Sequence, residues 1–173
     1  ELAQNLSAGA LPVPIKLISQ KTVGPLLGRV SLEKSLKAGI FGFLAIFIFM
    51  ILIYRLPGFI ASVALIFYVI FTLSLFKIFG VTLTLAGIAG FLLSVGMAVD
   101  ANILIFSRMR EEMKEGKTLS IAIEEGFKRA WPSIRDSNLT TLLVALLLFC
   151  LGTGFVKGFG FTLSVGILVS LFF

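Results

Sequence analysis

Two carboxylates stand where a carboxylate is costly. Asp100 lies inside a run that is otherwise apolar or small from Thr82 to Phe106, and Asp136 opens another apolar run within RDSNLTT, residues 135–141. Each is followed two positions on by an asparagine, Asp100-Ala-Asn102 and Asp136-Ser-Asn138. Two positions are about 200° apart on a helix, so each Asp and its Asn point to different sides and make separate contacts. An Asp at the middle of a membrane span costs ~2.5–3.5 kcal/mol, and such residues face a bundle interior or a water-filled cavity. Asp100 precedes Arg108 by eight residues, about 12 Å of helix, which is too deep for so short a side chain to reach the interface. It needs a proton, a partner or water. A desolvated acid takes up a proton more readily than one in water, so one chemistry open to Asp100 is carrying protons. The alternative is a hydrogen-bonded tie between helices. Asp136 and Arg135 stand nearer a helix end, where capping or interfacial solvation competes with a functional role. Asn138, Thr140 and Thr141 can reach across to the span holding Asp100, or the hydroxyls can satisfy their own backbone.

The elements that position these residues follow from composition. The chain has 173 residues, 58% of them hydrophobic, with 18 Phe and a mean hydropathy of +1.07, well above the ~45–50% apolar content of soluble domains. Crossing a bilayer takes about 20 mainly apolar residues, and five stretches qualify: about 37–54, 57–76, 82–106, 132–152 and 155–173. Pro57 and Gly58 make a tight hairpin between the first two. Gly80 separates the second from the third, Pro132 suits the first turn of the fourth, and GTGFVKG at 152–158 turns the fourth into the fifth. The connection 107–131 carries Arg108, Arg110, Lys114, Lys117, Lys128 and Arg129, and Arg55 lies on the same side. Lys77 and Lys157 stand on the other, so the positive-inside rule places 107–131 in the cytoplasm. The net charge of +6 is therefore a topology signal rather than a nucleic-acid face.

On the third stretch, Ala89, Gly96 and Asp100 share one helical face with Leu93 and Ile103. A second stripe runs Gly87, Gly90, Ser94, Ala98, Ala101. Small residues at four-residue spacing let a neighbouring backbone approach closely, so Asp100 is expected to turn toward protein. Gly152, Gly154, Gly158, Gly160 and Gly166 mark a tight turn and a thin helix face, as a hinge or as close packing. Within the connector, Leu119, Ala122, Ile123, Phe127, Ala130 and Trp131 recur at helical spacing after Thr118, an N-cap. Glu124 with Lys128 and Glu125 with Arg129 are favourable i,i+4 pairs. The expectation is an amphipathic helix at the inner membrane surface or, equally, a solvated connector packed on its own bundle. Before the first span, residues 15–23 are rich in β-branched residues after two prolines and read as an extended strand. The chain opens without Met and stops within GILVSLFF, so it reads as a piece of a longer polypeptide.

Histidine is absent and the one cysteine, Cys150, has no partner in the chain. Imidazole zinc sites, the usual base for a Ser or Cys nucleophile and a disulfide framework are excluded. Two membrane carboxylates raise the enzymatic alternative of an intramembrane aspartyl protease sharing one proton. The acids here stand in Ala-Val-Asp100 and Arg-Asp136, which match neither the Gly-x-Gly-Asp nor the Tyr-Asp pattern of such proteases.

Four blocks carry a more specific signal: GALPVPIKLISQKTVGPLLG before the first span, GMAVDANILIFSRMREEM in the third, GFKRAWPSIRDSNLTTLL leading into the fourth, and GTGFVKGFGFTLSVGIL at the last turn. In this order they resemble the SecD family of bacterial protein-export membrane proteins. The resemblance implies an all-α polytopic bundle similar to the proton-driven RND exporters. Five of the family's six spans are present, and residues 1–34 are the C-terminal remnant of an extracytoplasmic α+β domain. It implies a multi-pass protein of the bacterial inner membrane, working beside the SecYEG channel with SecF, with YajC and YidC as further partners. Proton-motive force would drive its help in moving preproteins across the membrane lipid, with no cofactor, metal or nucleic acid. Asp100 then belongs to the proton path, with Asn102, Asp136, Asn138, Thr140 and Thr141 as supporting polar contacts and Gly87, Gly90 and Gly96 as packing positions. The alternatives are an RND-type exporter of small molecules or lipids, the SecF half of the same complex, which lacks the MAVDAN and GALPVP wording, and a purely structural scaffold.

Overall fold

A computed structural model describes residues 25–172, with side chains defined from residue 30 onward. Helices run in the order α1 (Pro25–Ile78), α2 (Leu85–Lys114), α3 (Leu119–Leu151) and α4 (Phe155–Ser170). The strand expected at 15–23 lies outside the described residues. Among those described there is no strand, and three helices are long and apolar enough to cross a membrane. The five expected spans map onto the two arms of α1, then α2, α3 and α4.

α1 is two helices joined at Arg55, whose backbone (φ 51°, ψ −118°) leaves the helical region. The reversal thus falls on Arg55, two residues before the expected Pro57. Proline is suited to the first turn of a helix, where its missing N–H costs nothing, so Pro57 falls in the opening turn of the second arm, just after the break at Arg55. Gly58 completes the turn, because a Cβ there would lie 2.0 Å from the Met50 carbonyl oxygen. Met50 of the first arm packs with Ala61, Leu65 and Tyr68 of the second and with Val95, Ala98 and Val99 of α2. The first arm begins at Pro25 rather than at about 37.

α2 starts where Thr84 accepts a hydrogen bond from the Gly87 N–H at 3.1 Å, which satisfies one of the orphan donors of the first turn. Its 30 residues span about 45 Å against a hydrocarbon core of ~30 Å. Its charged end, Arg108 to Lys114, therefore projects from the membrane. Gly116, with φ +86°, turns the chain in a conformation that a side chain disfavours, and α3 begins at once. α3 then runs unbroken through Pro132 to Leu151. Pro132, expected in a first turn, is internal, and residues 119–131 and the fourth span are one rod. Proline inside a membrane helix is tolerated where neighbouring groups satisfy the freed carbonyl.

α2, α3 and α4 form the tightest unit, with the α1 hairpin packed more lightly against α2 and α4. Lipid is as apolar as leucine, so this unit is held by close approach rather than by exclusion of water. A Cβ on Gly160 of α4 would meet the Ala145 carbonyl oxygen and the Phe149 nitrogen of α3, both at 2.7 Å. On the projecting end, a Cβ on Gly126 would meet the Met109 backbone at 2.7 Å. Gly42, by contrast, has nothing within 4 Å of its would-be Cβ. Gly160→Ala is expected to destabilise the bundle by roughly 1–3 kcal/mol through forced helix separation. Gly42→Ala should be neutral or stabilising by up to about 1 kcal/mol. Thermal unfolding in detergent measures both, and equal effects would refute the packing assignment.

Candidate functional site

The small-residue stripe on α2 packs as its spacing requires. Gly87, Gly90, Ser94 and Ala98 are buried, and α4 lies against them. Thr162 of α4 donates its hydroxyl to the Gly87 carbonyl at 2.9 Å, and a Cβ on Gly90 would sit 2.5 Å from that hydroxyl. One helical turn further along α4, a Cβ on Gly166 would lie 2.2 Å from the Ser94 hydroxyl.

Into this seam the second arm of α1 inserts Tyr68. Its hydroxyl lies 2.9 Å from Ser94 Oγ and 3.0 Å from the Gly166 carbonyl oxygen, and Ser94 in turn donates to the Phe91 carbonyl at 2.7 Å. The phenol has one proton, so its two acceptors share it. Three helices meet at this polar point, among apolar neighbours and with Tyr68 only 1% exposed. The sequence reading did not single out Tyr68. Tyrosines in membrane proteins gather at the interfaces, and one placed mid-span must find a partner for its hydroxyl, which is the signal that would have found it.

Asp100 takes the opposite side of α2. It is exposed and has no hydrogen-bond or ion-pair partner among the described residues. Ala89 and Leu93 on the same face are exposed too, and Gly96 has nothing within 4 Å of its would-be Cβ. The expectation that this face turns toward protein is not met among the described residues. Of the two stripes, α4 and α1 cover the one through Gly90 and Ser94 and leave the one through Gly96 and Asp100 open. Gly96 is therefore not a packing position in this bundle, whereas Gly87 and Gly90 are.

The remaining polar positions separate. Asn102 lines a cavity of about 240 Å³ together with Tyr68, Ala98, Ala101, Trp131 and Ile134. Asn138 is buried on α3. Asp136 is exposed and pairs with Arg135 at 3.0 Å, so the two acids are not joined into a dyad. Thr140 and Thr141 donate to the carbonyls four residues back, Asp136 at 2.8 Å and Ser137 at 3.0 Å, which is the backbone alternative rather than a link across to α2.

At the projecting end, Glu112 is fully covered and accepts hydrogen bonds from both Lys117 and Arg129, while Lys117 also reaches Glu125. Arg108 pairs with Glu111 at 2.7 Å. Of the expected i,i+4 pairs within 119–131, Glu125 with Arg129 is replaced by this staple, Glu125 turning back to Lys117 and Arg129 to Glu112, and Glu124 with Lys128 forms no ion pair among the described residues. A shared buried acceptor on α2 draws the α3 cations more strongly than exposed partners on their own helix, because ion pairs at exposed helix positions contribute little. Hydrogen bonds from Lys117 and then Arg129 hold the Glu112 carboxyl down to about 2, from 4.5, and the same bonds raise Lys117 and Arg129 above their ordinary values.

An all-helical apolar bundle with one acid midway along an open face belongs to the polytopic membrane proteins. The family model for the C-terminal region of the protein export membrane proteins SecD/SecF matches residues 5–172, and the chain belongs to that family. It is 52% identical over 172 residues to the protein translocase subunit SecD of Synechocystis sp., covering 99% of this chain and 36% of that protein. It is 53% identical over 175 residues to the SecD of Thermobaculum terrenum, covering 99% and 34%. Among solved structures, SecDF from Thermus thermophilus, described as a translocon-associated membrane protein, superimposes with a TM-score of 0.88 at 40% identity, over 99% of this chain and 24% of that one. A super-membrane-facing form of SecDF gives a TM-score of 0.79 at 38% identity, over 96% and 23%. The chain thus spans about a third of the curated relatives it matches and about a quarter of the solved ones.

Two measurements check the geometry. Tyr68→Phe removes the shared proton while keeping the ring, and should lower bundle stability by about 1 kcal/mol in detergent unfolding. Glu112 has a folded-state value below its unfolded one, so its contribution is present in full above about pH 4.5 and is lost as pH falls toward 2. The melting-temperature gap between wild type and Glu112→Gln should stay constant from pH 7 to 5 and close below pH 4.5. A gap that closes near neutrality would remove the staple's role.

Proposed function

We propose that this chain is the membrane bundle of a SecD-type protein translocase subunit, a transport component rather than an enzyme, that uses proton-motive force to promote preprotein export through SecYEG. In this reading residues 1–34 are the extracytoplasmic tail, 35–173 the bundle, and the Glu112 staple lies on the cytoplasmic side of the bacterial inner membrane. Loop charge supports that orientation.

The observation that carries the reading is Asp100. It stands about 22 Å along α2 from its start, in the MAVDAN block, on a small-residue face that this chain leaves uncovered. A carboxylate facing hydrocarbon is costly and a small-residue face invites a helix, so a second bundle belongs there. The SecF half is the partner that the family supplies. Asp100 then lies between two bundles, where a proton gained from one side and lost to the other changes the charge at their contact. One charge moved through 100 mV is worth about 2.3 kcal/mol, enough for a few protons to bias a two-state helix arrangement. Asn102, Asp136 and Asn138 are supporting polar positions by family resemblance.

The test is secretion in cells carrying the full-length protein with Asp100→Asn, at matched membrane abundance and with proton-motive force intact. Asn keeps size and hydrogen bonding and removes titration. Secretion should collapse while association with the SecF partner survives. Unchanged secretion would make Asp100 a helix tie and end the proton-coupled reading.

A further inference from the structure

The α1 hairpin does not close on α2 along its whole length. Toward the end of the bundle that holds residues 79–84 and 152–154, its arms part around a groove of about 510 Å³, lined almost wholly by apolar side chains. Phe43 and Ile46 line it from the first arm, Ile70 and Leu73 from the second, and Phe91 and Leu92 from α2. On the first arm the lining runs from Ser35 to Ile46, about 16 Å of helix, which is the depth of one leaflet of a ~30 Å hydrocarbon core. An apolar lining one leaflet deep matches the acyl chain of a lipid in that leaflet.

The mouth is basic. Lys77 lies four residues beyond Leu73 and so continues the face that Ile66, Ile70 and Leu73 present to the groove, and Lys34 precedes Ser35. Both lysines are exposed and have no partner among the described residues. Glu33 is the one carboxylate at this end among the described residues, and Lys37 neutralises it at 3.0 Å. An apolar slot one leaflet deep beneath two unpaired cations has the layout of a site for an anionic amphiphile.

We propose that this groove binds one anionic phospholipid, with an acyl chain between the hairpin arms and α2 and the headgroup phosphate at Lys34 and Lys77. The lipid fills the gap beside Gly42, where a Cβ would meet open space, and adds contacts to the most lightly packed part of the fold. This site lies on the α1 side of α2 and is independent of Asp100.

The experiment is native mass spectrometry of the purified protein released from nanodiscs of equimolar phosphatidylglycerol and phosphatidylcholine with identical chains. Wild type should retain one phosphatidylglycerol per chain. Lys34→Ala and Lys77→Ala together should abolish the headgroup preference, by about fivefold for each lysine, the worth of one basic residue near an anionic surface. Gly42→Phe, placed where a Cβ meets open space, should empty the groove and abolish retention. Equal retention of the two lipids by wild type, or retention unchanged by Gly42→Phe, overturns the proposal, as does a co-purifying protein chain that Gly42→Phe displaces in place of lipid. Should Gly42→Phe misfold, the lysine pair decides alone, since it alters only exposed, unpaired side chains.

Discussion

The hydroxyl of Thr162 rests on the Gly87 carbonyl at 2.9 Å, and that distance is possible only because Gly90 has no side chain to hold the helices apart. The rest of the bundle depends on contacts of this kind. In lipid, an apolar side chain gains little by leaving one apolar neighbour for another, so leucines and phenylalanines on α1 stay exposed without penalty. Order comes from the places where backbones approach closely enough for hydroxyls to reach across. Thr162 on Gly87, Tyr68 on Ser94 and Gly166, and Gly160 against Ala145 fix α2, α3 and α4 in one register. The α1 hairpin, joined mainly through Tyr68 and Met50, is held by fewer such points.

This arrangement divides α2 into two faces with different roles. One face, through Gly87, Gly90 and Ser94, is spent within the chain. The other, through Gly96 and Asp100, also carries small residues and has no cover among the described residues. The acid sits on the uncovered face, and under the proposed function its surroundings are completed by a partner bundle. That is consistent with a chain spanning about a third of the length of its relatives.

Much of the fold was legible because hydropathy and small-residue spacing are local signals. The apolar stretches, the turns at Gly80 and 152–154 and the packing of Gly87 and Gly90 follow from residues close in sequence. What was missed depends on partners far apart in sequence. The choice between the two stripes of α2 turns on where α4 lies, which no spacing within α2 encodes, and so Asp100 was expected on a covered face. Tyr68 meets a residue 26 positions away and another 98 away. The Glu125–Arg129 pair of 119–131 was outcompeted by Glu112, a residue on another helix whose burial a sequence does not display. The join of 119–131 to the fourth span was masked by Pro132, which ends helices in water more readily than in a membrane bundle.

That join has a mechanical consequence. α3 is a single rod of 33 residues, about 50 Å long, gripped at one end by the charged staple and at the other by Gly160 of α4. Neither grip allows it to bend freely at the membrane surface, as a loop between two separate helices would. It acts as a lever arm: a tilt of ~5° about one end sweeps the other through ~4 Å for a rod of this length. A tilt imposed at the charged end is therefore carried to the far side of the membrane as a displacement of several ångströms.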